Sequence, residues 1–149
     1  MNCTSDDVAM LERVCCGDRE AMDFIANHWM PYAGEVDDII DGHITTPEQI
    51  LNVFARAAYL YTHPFFVKHA AVLRTLILLC TNTFADTVAW EKSPDDWKRQ
   101  WADHHRHTGM DVVLAVAMIC GGYEHARLCS QEQRSLCYHE HHNRKGEAE

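Results

Sequence analysis

No stretch of about 18 consecutive apolar residues occurs in this chain, so no membrane-spanning helix is expected. The run Met1-Asn2-Cys3-Thr4-Ser5-Asp6-Asp7 has no apolar core, so no signal peptide is expected there. Positive charge is scarce: 13 Lys and Arg stand against 22 Asp and Glu, a formal net charge of −9. That balance argues against non-specific binding to nucleic acids or anionic membranes. Basic residues interleaved with aromatics, the pattern of nucleic-acid modules, are also missing. There is no CxxC pair among Cys3, Cys15, Cys16, Cys80, Cys120, Cys129 and Cys137. The count is odd, and Cys80 and Cys120 lie in apolar runs. The set reads as reduced, mostly buried thiols in a reducing, cytoplasmic setting. HExxH, GxSxG and the P-loop are absent, which removes several enzyme classes. No internal repeat or low-complexity linker occurs. Sustained period-two alternation of β-branched residues is absent, and with it any expected sheet.

What remains is helical. The expected fold is a single all-α domain over residues 1–142, a bundle of six to eight helices, with a disordered tail at 143–149. Ser5 can cap a first helix that Gly17 ends, and Asp18 a second running towards Trp29. Pro31 starts or kinks the next helix, and Gly42 closes it. Thr46-Pro47-Glu48 and Ser93-Pro94-Asp95-Asp96 both read as a cap followed by a proline start. His63-Pro64 breaks the chain ahead of a long helix from about Phe65 to Trp90. That helix and the run Val112–Cys120 are apolar nearly all round, which predicts central positions in the bundle. Ser130 and Gln133 form a capping-box pattern between two last helical stretches towards His142.

The chemistry concentrates in Tyr32-Ala-Gly-Glu-Val-Asp-Asp-Ile-Ile-Asp41. At about 100° per residue, Asp37 and Asp41 lie one turn apart, with Asp38 and Glu35 beside them. Trp29, Tyr32, Val36, Ile39 and Ile40 fall on the opposite side. A rigid, oxygen-rich face suits a hard cation, Mg²⁺ or Mn²⁺. Such a cation neutralises a diphosphate as its bond breaks. On the long apolar helix, Asn82 and Asp86 are spaced i, i+4 and share a face. A carboxylate there is costly unless it is paired or metal-bound, so Asp86 is expected to be cavity-facing. Candidate metal ligands are therefore Asp37, Asp38, Asp41, Asn82 and Asp86, with Asp37, Asp41 and Asp86 the candidates for catalysis.

This segment resembles the first aspartate-rich helix of squalene/phytoene synthases, within the class I isoprenoid synthase superfamily. Asp37, Asp38 and Asp41 reproduce its Asp-Asp-x-x-Asp element. The Cys-Arg that the family carries nearby is absent, and Gly34 and Glu35 stand there. Asn82 and Asp86 resemble the first two positions of the family's second motif. Its third falls on Trp90, with Glu91 one residue late. The resemblance implies Mg²⁺ holding a prenyl-type diphosphate between two acidic helices. The short chain implies a reduced bundle, alone or as a homodimer. Glu35-x-x-Asp38 is similar, in addition, to the helices of MazG-like and dimeric dUTPase pyrophosphohydrolases. Both imply a small diphosphate-containing substrate.

A different class remains open: a non-catalytic helical module of phage or mobile-element type, binding a protein partner through Trp90, Trp97, Trp101 and Tyr123. Two histidine groups also stand out. His107 and Asp111 are spaced i, i+4 as a metal half-site would be, beside His104 and His105. The group His139, His141 and His142 reads as adventitious.

Overall fold

The computed structural model of the chain describes the backbone of residues 5–146 and the side chains of residues 8–133. Among the described residues the protein is all-α, with no strand. The chain forms two compact units, residues 1–73 and 74–149.

In the first unit, α1 (Ser5–Val14) ends through Cys16 and Gly17, both at positive φ. Asp18 caps α2 (Arg19–Asp23), its carboxylate accepting from the amides of Glu20 and Ala21. The helix then runs on without a break: residues 24–29 are π-helical, and α3 (Met30–Ile40) continues from them. Pro31 accounts for the wider turn: its ring crowds the carbonyl four residues back and it has no N–H to give it. The Met30 amide accordingly reaches Ile25, five residues back. Gly42, at φ 77°, terminates α3 as expected, and the His43 amide closes the turn onto the Asp38 carbonyl at 2.8 Å.

Thr46 caps α4 (Pro47–Thr62) in a reciprocal box with Gln49. Thr46→Ala should lower stability by about 1 kcal/mol, read as a shifted urea midpoint at unchanged slope. α5 (Pro64–Lys68) is short, and His69 bends the chain before α6 (Ala70–Trp90). The expected single helix from Phe65 is thus two. α4 packs on α3 and on the π segment, and α5 on α2 and α4. Their shared core holds Phe24, Ile25, Leu60, Phe65 and Phe66. The Phe24 ring lies 5.5 Å from Phe65 and 6.4 Å from Phe66.

α6 corrects an expectation. Only a narrow stripe, Leu73, Ile77, Cys80 and Thr87, is buried, while Val72, Leu78 and Leu79 are each more than half exposed. A helix apolar all round satisfies a one-sided packing as readily as a central one, so composition alone did not fix its surroundings. By length and composition alone, α6 and the stretch Asp96–Gln133 are each apolar enough to cross a membrane. An uninterrupted-run criterion misses α6 because Arg74 and Asp86 divide it.

In the second unit, α7 (Asp96–His105) starts two residues later than the Ser93-Pro94 pattern predicts. Ser93 Oγ instead accepts from the Asp95 amide. In α8 (Met110–Gly146), Val112, Val113, Val116 and Ala117 are buried. Gly122, at φ 79°, interrupts that helix as expected, but no break occurs at Ser130. The backbone is helical to Gly146. Residues 147–149, and the side chains of Ser5, His139, His141 and His142, lie outside the described residues.

Candidate metal centre

α3 carries Asp37 and Asp38, and Asp41, which the sequence predicts on the same helix, follows one residue beyond it as its C-cap. Asp37 is half-buried, and Asp38 and Asp41 are exposed. Two of the neighbouring charges are engaged. Glu35 accepts from Arg56 Nε of α4 at 2.7 Å, in a partly buried pair. Asp38 lies 3.4 Å from His43 Nδ1. The apolar side is covered less than expected: Trp29 is buried, Tyr32, Val36 and Ile39 are half-buried, and Ile40 is 45 % exposed. In the second unit, Asn82 is exposed and Asp86 half-buried on α6. Among the described residues, two of the clefts have volumes of about 270 and 280 Å³. None of the five predicted ligands lines either one.

The side chains whose ligand-type atoms do converge, among the described residues, are Asp23, His28 and His63, all within 4.8 Å of one another. Asp23 closes α2, His28 lies in the π segment, and His63 sits between α4 and α5. On an α-helix, residues five apart point about 140° away from each other. The i→i+5 turn of a π segment brings them to one side, so Pro31 aligns Asp23 with His28. Asp23 Oδ2 is 3.1 Å from His63 Nε2 and 3.8 Å from His28 Nε2. The two imidazole centroids are 4.7 Å apart.

The network fixes a tautomer. His63 Nδ1 accepts the Phe65 amide at 3.2 Å and so caps α5. Its proton therefore sits on Nε2, which donates to Asp23. Asn27 Nδ2 donates to the other oxygen of Asp23 at 2.7 Å. The Asn27 bond first, and the His63 bond after it, hold the Asp23 carboxyl below its ordinary pKa, and partial burial opposes them. Burial pulls His28 below its ordinary 6.5. His63 and Arg56 add to that shift, and Asp23 opposes it.

A lowered histidine pKa means that the unfolded chain takes up the proton first as pH falls. Metal-free protein should therefore start to lose stability below pH 6.5, the ordinary value for a histidine, and go on losing it until folded His28 titrates. His28→Gln should flatten that limb, checked by urea midpoints from about pH 8 to pH 5.

The remaining candidates separate. His107 lies in the turn between α7 and α8, and Asp111 lies on α8. The i, i+4 half-site therefore has no common helix face. His104 and His105 are each bonded through Nδ1 to the backbone carbonyl four residues earlier. Trp90 packs edge-on to Trp97 and Trp101, and His105 stacks on Trp101 at 4.1 Å. Of the four expected partner-binding aromatics, Trp97 and Tyr123 remain largely exposed. Sequence reasoning missed Asp23, His28 and His63. The signal was there, in Pro31 following an Asp and a His five apart, but helical spacing rules look at three and four.

Compared with known proteins, the chain matches no protein-family profile, no curated protein and no solved structure.

Proposed function

We propose that this is a small Mg²⁺-dependent enzyme acting on a diphosphate-containing substrate at the α3 face. One observation carries the reading: α4 delivers Arg56 to Glu35, one turn before Asp38, so a guanidinium reaches the helix that carries the carboxylates. A metal–diphosphate complex needs both signs. Asp37, Asp38 and Asp41 would hold the cation, and Arg56 would meet phosphate oxygens that the metal leaves free. The cation would neutralise charge on the departing diphosphate, by ionisation of a prenyl-type substrate or by water attack on a phosphoryl group.

Thermal melting with Mg²⁺, Mn²⁺ and pyrophosphate tests it. Carboxylates one turn apart repel when bare, so a cation with pyrophosphate should raise the melting temperature more than either alone. Unchanged melting in all combinations would leave a solvated acidic helix. A second reading, a helical module for a protein partner, is favoured by the exposed Leu51, Phe54 and Tyr59 on α4.

A further inference from the structure

We propose that Asp23, His28 and His63 bind Zn²⁺. The site is distinct from the α3 face and shares no ligand with it, so it does not rest on the diphosphate reading. Two imidazoles and a carboxylate are a borderline donor set, which suits Zn²⁺ and disfavours Mg²⁺. The distances are close to what coordination needs. In a tetrahedron with bonds of about 2.0–2.1 Å, ligand atoms stand about 3.3 Å apart. Asp23 Oδ2 is already 3.1 Å from one imidazole nitrogen and 3.8 Å from the other. The second of these must close by about 0.5 Å, and the separation between the two histidines, within 4.8 Å, must close as well. A water would complete the shell.

The surroundings are built rather than incidental. His63 is 7 % exposed, and its ring lies 5.6 Å from that of Phe24. Asn27 steadies the carboxylate through the oxygen that His63 and His28 leave free. A π segment, a geometry that recurs at functional sites, supplies the alignment.

Coordination has a visible consequence at His63. Zn²⁺ needs the lone pair of Nε2, the nitrogen that now carries the proton. The proton moves within the ring to Nδ1, so the imidazole stays neutral. Nδ1 can then no longer accept from Phe65, and the Phe65 amide loses its partner. Zinc binding is thus coupled to the first turn of α5. Metal-binding histidines generally donate their second ring nitrogen to an acceptor. This one meets a donor, so the site should bind more weakly than a structural zinc site.

The test is nuclear magnetic resonance on the isotope-labelled, reduced protein at neutral pH, with Zn²⁺ added. The His28 and His63 ring signals and the Phe65 amide should move together, to a one-to-one end point. His28→Gln alters a half-exposed ring and should fold like the wild type. His63→Asn keeps an acceptor for the Phe65 amide. Each should bind Zn²⁺ on the order of tenfold to a hundredfold more weakly. Zinc binding that leaves the Phe65 amide in place, or that both variants retain at full strength, would overturn the proposal. So would the absence of any shift at His28 and His63.

Discussion

Phe24→Ala should cost about 3–5 kcal/mol, the full penalty of a large-to-small change in a filled core. Phe24 is fully buried where α2 passes into the π segment. Its ring meets Phe65, Phe66 and His63 at centroid distances of 5.5, 6.4 and 5.6 Å. It therefore joins the helical run of α2 to the α4–α5 corner, and removing it leaves a cavity between two elements. Urea denaturation measures the loss. A cost below about 1 kcal/mol would mean that the corner packs without this ring, and the placement of His63 would lose its support.

His63→Ala should cost about 2–4 kcal/mol, and His63→Asn markedly less. The residue has two jobs. It caps α5 through Nδ1, and it fills buried space while donating to Asp23 through Nε2. Alanine removes both, leaving the Phe65 amide without an acceptor in a buried place. Asparagine restores an oxygen at the cap but not the reach to Asp23. Equal losses for the two variants would show that the cap contributes nothing, and that His63 acts by packing alone.

The fold class was legible in the sequence, and so were several helix boundaries, because caps and breakers act locally. Asp18, Gly42 and Thr46-Pro47 each bond or bend within a few residues of themselves. Ser93-Pro94 failed because Ser93 turned its hydroxyl to the loop amide of Asp95 and left the helix to start later. The surroundings of α6 were not legible, since an apolar side chain reads the same whether a neighbour covers it or not. Asp37 and Asp38 were placed on a helix as expected, and Asp41 falls one residue past its end, as the C-cap. The ion pairs of this stretch were not foreseen, because Arg56 meets Glu35 across 21 residues of chain. The Asp23–His28–His63 group was missed for two reasons. One partner lies 40 residues away, and the other two share a side only because Pro31 widens the helix before it.

Calorimetric titration of Mg²⁺ into the protein with pyrophosphate present tests the proposed diphosphate chemistry most directly. Saturable binding is expected, weakening strongly without pyrophosphate and disappearing in Asp37→Asn/Asp41→Asn. Because His28 and His63 take no part, His28→Gln should leave this titration unchanged, which separates it from any zinc site. Absence of binding in the wild type, or full binding in the double variant, would contradict a Mg²⁺–diphosphate site on α3.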